Sequence, residues 1–140
     1  MYITKRIFLI NILILLACLT GQSQNIEFEK VNVKKFKALI QEDNNHVLIN
    51  VCATTDAPKE YISGSIFAET SKKLFSILDT TPVSRPILLY CKYGKRSQRA
   101  GWLIKEKYPH QVYSLKGGIE DWHKKKNDLS AHPKIRHRIE

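Results

Sequence analysis

The sequence is poor in cysteine and in acidic residues, and each shortage narrows what the protein can be. Three cysteines among 140 residues are too few for a small domain held together by disulfides. Acidic residues number 13 against 23 lysines and arginines, which gives a net charge of +10 at pH 7. This surplus of positive charge favours anionic partners.

Metal-binding motifs are also missing. The sequence contains no Cys-x2-Cys or His-x3-His pair, and its five histidines are scattered. We therefore expect no metal ion and no cofactor. The chain has no internal repeat after residue 24, and its hydrophobic fraction of 43% is typical of a folded protein. Its length predicts a single domain.

Residues 1–23 differ in composition from the rest of the chain. Lys5 and Arg6 precede an apolar run, residues 7–19, which contains Asn11 and is shorter than the roughly 20 residues needed to cross a bilayer. A short basic stretch before a brief apolar run is typical of an export signal. We predict export, with an uncleaved N-terminal membrane anchor as the alternative.

Two cleavage sites fit this signal. Gly21 and Ser23 satisfy the small-residue rule of ordinary signal peptidase, which would cut after Ser23. Residues 15–18 resemble a bacterial lipobox, in which the signal ends before a cysteine, here Cys18, that becomes lipidated. Two acyl chains would hold the protein on the membrane. Either route predicts a periplasmic protein or one anchored on the outer side of a membrane.

Apolar periodicity after residue 26 alternates between strand and helix. Runs without polar positions predict buried strands, and apolar residues three or four apart predict helices. We predict strands at residues 47–52, 65–68, 87–91 and 112–115, and helices around 33–40, 57–61, 74–78, 97–108 and 119–125. This alternation predicts an α/β fold with a small parallel sheet and helices on both faces.

Details of one helix and of the C-terminus follow from the same pattern. Ser97 is expected to cap the fourth predicted helix, with Ala100, Leu103 and Ile104 facing inward. The domain is predicted to span residues 26–126. Residues 127–140 form a basic tail without an apolar stripe, which we expect to be loose.

The candidate site follows the strand predicted at residues 87–91. Active sites of open parallel sheets gather at the carboxyl ends of the strands, where Cys91 enters a short loop that leads into a helix. Backbone N–H groups in such a loop and the helix dipole both favour an anion. Lys92, Lys95 and Arg96 add positive charge, so the thiolate of Cys91 is favoured over the thiol. The loop therefore predicts a nucleophile inside an anion cradle.

Four segments in order resemble the single-domain rhodaneses, a family of sulfurtransferases. Residues 91–97 resemble the active-site loop of that family, and residues 48–51 resemble its first core strand. Residues 60–66 resemble its Glu-Tyr…Gly-His-Ile segment, and residues 115–119 with Trp122 resemble its Leu-x-Gly-Gly…Trp ending. The resemblance covers about residues 30–126 and implies a rhodanese-like fold.

The resemblance also implies a reaction. Cys91 would attack the outer sulfur of an anionic donor such as thiosulfate, release sulfite, and pass the sulfur from a persulfide to a thiol or protein-cysteine acceptor. Substrate would be bound by the rest of the loop: Lys92, Tyr93, Gly94, Lys95, Arg96 and Ser97. Related phosphatases use a Cys-x5-Arg loop. Arg96 falls one residue short of that spacing, which disfavours phosphate or arsenate chemistry.

Three departures from the family pattern leave alternatives open. Asn50, Cys52 and Ser65 stand where the family usually has aspartate, arginine and histidine. One alternative is therefore a rhodanese-fold module for binding or sulfur relay with little turnover. Another is a thiol–disulfide redox protein in which Cys52 is the resolving thiol for Cys91. We expect no nucleic-acid partner, and a membrane partner only if Cys18 is lipidated.

Overall fold

The structure, a computed structural model, describes residues 28–42, 45–56, 60–127 and 130–131. The predicted export signal and most of the predicted basic tail lie outside the described residues. Each helix in the described part is too short or too polar to serve as a membrane span.

Five parallel strands form the main sheet. They are β1 (Phe28–Val31), β2 (Val47–Asn50), β4 (Ile66–Phe67), β5 (Ile87–Tyr90) and β6 (Val112–Leu115). Their order in space is β1-β6-β5-β2-β4, so β5 lies at the centre of the sheet. The register places Asn50 of β2 opposite Tyr90 of β5, and both strands therefore end at the same edge.

Four α-helices in the described part cover the two faces of this sheet. They are α1 (Val33–Glu42), α2 (Ser71–Leu78), α3 (Lys95–Lys107) and α4 (Gly118–Lys124). A short 3-10 helix, Thr54–Asp56, follows β2. Two further strands, β3 (Glu60–Tyr61) and β7 (Ser130–Ala131), pair with each other in antiparallel fashion.

The core has one apolar layer on each side of the sheet. On one side, Phe36 of α1 and Trp122 of α4 are buried, and their rings meet edge to face with centroids 6.2 Å apart. On the other side, the buried residues of α2 and α3 meet the opposite set of strand side chains. All four residues of β2 and all four of β5 are buried, as expected of strands that are covered on both faces. The predicted α/β fold with helices on both faces is confirmed.

β1 has no counterpart among the predicted elements. It is only four residues long and contains Glu29 and Lys30, so its apolar pattern is weak. Pairing with β6 gives its backbone groups their partners, with Phe28 opposite Val112 and Val31 opposite Leu115. β1 therefore forms because it pairs with β6, and the local sequence pattern does not reveal such a pairing.

The helix predicted at residues 57–61 is wrong in its last two residues. Glu60 and Tyr61 form β3, and they pair with Ala131 and Ser130. Residues 57–59 lie outside the described residues. The partner strand comes from the segment predicted to be a loose tail, so that prediction is wrong for residues 130–131. The pairing joins segments about 70 residues apart, which local sequence pattern cannot reveal.

α3 begins earlier than predicted, and this changes two roles. The N-cap residue is Gly94, which offers no side-chain hydrogen bond, so the predicted cap at Ser97 is wrong. Ser97 lies inside the first turn and is buried together with Ala100, Gly101 and Ile104. Leu103 was expected to face inward but is 38% exposed. The inward face is therefore made of smaller residues than the apolar pattern predicts.

Candidate active site

Cys91 lies directly after β5, at the carboxyl edge of the central strand. Only three residues separate it from the start of α3, so the chain makes a tight turn at residues 92–94. The side chain of Cys91 is buried, with 3% of its surface exposed. Its predicted position at the entrance to a helix is therefore confirmed.

The sulfur atom of Cys91 receives a backbone hydrogen bond from its own loop. The N–H of Gly94 donates to Sγ over 3.1 Å. Gly94 has a φ of +84°, a left-handed conformation that glycine adopts without the strain of a side chain. A Cβ at this position would lie 3.0 Å from both the nitrogen of Gly117 and the carbonyl oxygen of Leu115. Glycine thus allows both the turn and its close packing against the segment after β6.

The N-terminal end of α4 holds the other side of the loop. The N–H of Ile119 donates to the carbonyl oxygen of Cys91 over 2.9 Å, and the N–H of Glu120 donates to that of Lys92 over 3.2 Å. Gly118, which directly precedes Ile119, has a φ of +65°, and a Cβ there would collide with the carbonyl oxygens of Cys91 and Lys92. Amides of the first helical turn have no acceptor within their own helix, so these two bonds satisfy them. The loop conformation therefore depends on a segment nearly 30 residues further along the chain.

Two buried serine hydroxyls lie beneath the thiol. Ser97 Oγ is 3.8 Å from Cys91 Sγ and donates to the carbonyl oxygen of Gly94 over 3.1 Å. Ser114, on β6, donates its own hydroxyl to Ser97 Oγ over 2.8 Å. Neither serine has exposed surface. Sequence reasoning named Ser97 but missed Ser114, whose polar side chain in the apolar run of β6 was the available signal.

The three cationic side chains predicted to attract an anion have different surroundings. Lys95 is exposed, and the ammonium of Lys92 lies 5.1 Å from the ring centroid of Tyr93, which is itself 60% exposed. The guanidinium of Arg96 instead donates to two carbonyl oxygens outside the loop. Lys95 thus remains exposed, whereas Lys92 is half-buried.

Arg96 links α3 to the segments that follow two strands. Its Nε donates to the carbonyl oxygen of Val51, just after β2, over 2.8 Å. Its Nη2 donates to the carbonyl oxygen of Glu69, just after β4, over 2.8 Å. Guanidinium donors at fixed angles suit such paired carbonyl contacts. Arg96 therefore holds neighbouring loops in place besides contributing charge.

The residues at the three departures from the family pattern surround the hydroxyl of Tyr90. Ser65 Oγ and the Tyr90 hydroxyl share a hydrogen bond of 2.7 Å, and the N–H of Ile62 donates to the same hydroxyl over 3.1 Å. Asn50 Oδ1 accepts from the N–H of Cys52 over 3.0 Å. Burial is the main cause that raises the pKa of Tyr90 from 10.0 to about 12. A neutral polar cluster therefore fills the place where the family usually has charged residues.

Cys52 and Cys91 are both buried, and neither forms a disulfide. Their strands, β2 and β5, are neighbours, and the N–H of Val51 donates to the carbonyl oxygen of Tyr90 over 2.9 Å. Cys52 follows one residue later, and both cysteines belong to the same buried cluster. Cys52 thus lies two residues after the end of β2, the strand beside that of Cys91. In the part of the chain that the structure describes, no three histidine, cysteine or acidic residues come together as metal ligands.

Comparison with known proteins adds the family. A family model described as "Rhodanese-like domain" matches residues 32–125, about two thirds of the chain. The chain belongs to the rhodanese-like domain family. The resemblance carried by the four sequence segments is therefore confirmed. The roles predicted for Cys91 and for residues 92–97 stay predictions.

Curated and solved relatives agree with this family. Thiosulfate sulfurtransferase GlpE of Vibrio cholerae is 27% identical over 62 residues, which are 44% of this chain and 58% of that protein. The match thus spans less than two thirds of the curated relative.

Three solved structures share the fold. The rhodanese-like domain of an Anabaena protein has a TM-score of 0.64 at 15% identity and covers 79% of this chain and 85% of its own. A rhodanese-related protein of Thermoplasma volcanium has a TM-score of 0.62 at 15% identity, with 74% and 99% covered. Thiosulfate sulfurtransferase of Pseudomonas aeruginosa has a TM-score of 0.67 at 14% identity, covering 76% of this chain and 21% of its own.

Proposed function

We propose that this rhodanese-like protein is a sulfurtransferase that carries sulfane sulfur on Cys91. The observation that carries the proposal is the environment of Sγ. It accepts an N–H bond from Gly94 within a tight loop that leads straight into the thirteen-residue helix α3. A sulfur anion in this loop meets backbone N–H groups and the positive end of a helix dipole.

The first half-reaction forms a persulfide. The Cys91 thiolate attacks the outer sulfur of thiosulfate, a new S–S bond forms at Sγ, and the bond between the two donor sulfurs breaks. Its electron pair leaves with sulfite. The outer sulfur of the persulfide now carries the negative charge inside the loop, where amide donors stabilise it.

The second half-reaction returns the thiolate. A thiophilic acceptor, such as a thiolate or cyanide, attacks the outer sulfur. The bond between that sulfur and Sγ breaks, and its electron pair returns to Cys91. The two half-reactions share one covalent intermediate, so the kinetics are ping-pong.

Charge supports a small anionic donor. Lys95 is exposed and Lys92 is half-buried on the loop, and the positive charge of both attracts a dianion from solution. Arg96 adds charge but acts mainly through its bonds to the carbonyl oxygens of Val51 and Glu69. The curated relative of Vibrio cholerae bears the name thiosulfate sulfurtransferase, which agrees with this donor class.

A second candidate function is thiol–disulfide exchange between Cys52 and Cys91. The observation in its favour is that both thiols lie in one buried cluster just after the ends of the neighbouring strands β2 and β5. Oxidation would join the two sulfurs with the loss of two protons and two electrons to an external oxidant, such as a disulfide. A binding or relay module with little turnover is the remaining alternative.

We also propose that residues 1–23 act as an export signal and that the mature domain works outside the cytosol. The basic and apolar order of residues 5–19 supports this location. The intact mass of the protein isolated from its own cells tests it. Loss of residues 1–23 supports ordinary export, a lipidated Cys18 supports anchoring, and a full-length chain contradicts both.

The intact mass of the protein before and after thiosulfate tests the main proposal. We expect a gain of about one sulfur atom that cyanide removes. Cys91→Ser is expected to abolish the gain, and Cys52→Ser, the matched buried cysteine, is expected to retain it. No added sulfur in the unaltered protein would move the assignment to the binding module. A loss of two protons without added sulfur, abolished in both variants, would assign the redox function instead.

A further inference from the structure

We propose that Ser114 is a positioning residue that lets Ser97 act as a switchable hydrogen-bond donor to Cys91. The inference rests on the proposed function in one respect, the use of Cys91 as a thiolate. It goes beyond the loop residues predicted from sequence, because Ser114 lies on β6 and outside the loop. The juxtaposition that carries it is the chain of three polar atoms Ser114 Oγ, Ser97 Oγ and Cys91 Sγ.

In the thiol form each hydroxyl has a defined direction. Sγ–H points to Ser97 Oγ over 3.8 Å, Ser97 donates to the carbonyl oxygen of Gly94 over 3.1 Å, and Ser114 donates to Ser97 over 2.8 Å. Ser97 Oγ therefore accepts from two partners and donates to one. A hydroxyl oxygen has two acceptor sites and one proton, so this set uses its full capacity.

Loss of the thiol proton to water changes what the sulfur needs. The thiolate can only accept, so no proton lies between Sγ and Ser97 Oγ unless the Ser97 hydroxyl turns. Rotation about the C–O bond of Ser97 redirects the hydroxyl proton from the carbonyl oxygen of Gly94 to Sγ. The thiolate then has two donors, Ser97 and the N–H of Gly94. A hydrogen bond to a charged acceptor is stronger than one to a neutral carbonyl, which favours the rotation.

The carbonyl oxygen that Ser97 leaves keeps a partner. The N–H of Gln98 donates to the same oxygen of Gly94 over 3.2 Å, as part of the first turn of α3. Rotation therefore leaves no buried acceptor without a hydrogen bond. The free-energy cost of burying a polar group without a hydrogen bond therefore does not oppose the rotation.

Ser114 supplies what the turned hydroxyl still requires. Once Ser97 donates to Sγ, its oxygen has lost the thiol as a donor, and Ser114 is the remaining one. Both serines are fully buried, so an unpaired lone pair there would be costly. The hydrogen bond from β6 also fixes the position of Ser97 Oγ across the sheet edge. Ser114 thus acts on the sulfur through Ser97.

Several charged or ionisable groups lie on the segments packed against the loop. All of them must be the same in the proteins whose pH profiles are compared. They are Lys92, Lys95 and Arg96 on the loop and α3, Tyr90 at the end of β5, Cys52 after β2, Lys116 after β6, Glu69 after β4, and Glu120 and Asp121 on α4. Serine variants leave all of these groups in place, so a change in pH profile reports on the hydroxyls.

Thiolate absorbance near 240 nm, recorded against pH, tests the proposal without any sulfur donor. Each protein is compared with the same protein carrying Cys91→Ser, so tyrosines and Cys52 cancel in the difference. We expect Ser97→Ala to raise the pH of half-maximal thiolate by about one unit, a tenfold change. Ser114→Ala is expected to raise it by about half a unit, or threefold, because it acts through Ser97.

Two controls separate the hydroxyl from packing. Ser76→Ala removes a serine hydroxyl that donates to the carbonyl oxygen of Lys73 on α2, and its profile should match the unaltered protein. Ser114→Thr and Ser114→Val have nearly the same shape, so the threonine variant should keep the profile and the valine variant should shift it. This pair also answers the question if Ser114→Ala does not fold.

The result that overturns the proposal is a Ser114→Ala profile identical to that of the unaltered protein, or equal shifts for threonine and valine at residue 114. A protein that shows these shifts but gains no sulfur from thiosulfate would retain the positioning role and lose the proposed function. The two failures are therefore distinguishable.

Discussion

Replacing Gly118 with alanine tests how tightly α4 holds the loop of Cys91. The added Cβ would collide with the carbonyl oxygens of Cys91 and Lys92, which are backbone atoms that cannot move aside as a flexible side chain would. The N-terminal end of α4 must then retreat. Its retreat breaks the hydrogen bonds that Ile119 and Glu120 donate to those same carbonyl oxygens.

The magnitude follows from two contributions. An alanine at a φ of +65° costs about 1–2 kcal/mol, because its Cβ crowds the following carbonyl oxygen in the left-handed region. Loss of two backbone hydrogen bonds costs about 1 kcal/mol each. We therefore expect Gly118→Ala to lower the free energy of unfolding by about 3–4 kcal/mol.

Gly64 offers a matched control. Its φ is +81°, and a Cβ there would have nothing within 4 Å. Gly64→Ala therefore carries the conformational cost alone, about 1–2 kcal/mol. Urea denaturation of both variants gives the difference, expected at about 2 kcal/mol, or roughly 10 °C in melting temperature. Equal destabilisation of the two variants would refute the docking of α4 on the loop.

Two further predictions concern the hydrogen bonds of Arg96 and the burial of Tyr90. Arg96→Lys should lower the free energy of unfolding by about 1–2 kcal/mol, since lysine cannot hold both carbonyl oxygens at fixed angles, and urea denaturation measures this. Burial raises the pKa of Tyr90 from 10.0 to about 12, so the unfolded chain releases the tyrosine proton first as pH rises. The stability that this tyrosine contributes should be complete below pH 10 and fall by about 2–3 kcal/mol between pH 10 and 12. Tyr90→Phe should flatten that fall, and an unchanged slope in urea melts across this range would contradict the assignment.

Strong local patterns made most of the fold predictable. β2, β5 and β6 are apolar runs, and α1 carries apolar residues at helical spacing, so each is confirmed close to its predicted bounds. β1 and β3 were not predicted because each forms through pairing with a strand that is distant in sequence. The cap at Ser97 failed because the turn after Cys91 takes only three residues, which lets α3 begin at Lys95.

The candidate site was predictable in its location and less so in its contacts. A cysteine at the end of a buried strand, followed by lysines and a helix, identified the loop. Hydrogen bonds between different elements could not be predicted from the sequence, among them those donated by Ser114 and Ile119. The direction of Arg96 was also unexpected, because a guanidinium beside a predicted anion site gives no sign that backbone carbonyls will occupy it.

The order of strands in the sheet determines when the sheet can form during synthesis of the chain. β6 lies between β1 and β5, although it is the last strand of the main sheet in sequence. In the described part of the chain, β1 is bonded to the sheet through β6 alone. The first and central strands therefore cannot be joined until residues 112–115 are present. Such distant pairings slow folding, and a ribosome must release nearly the whole domain before its sheet closes.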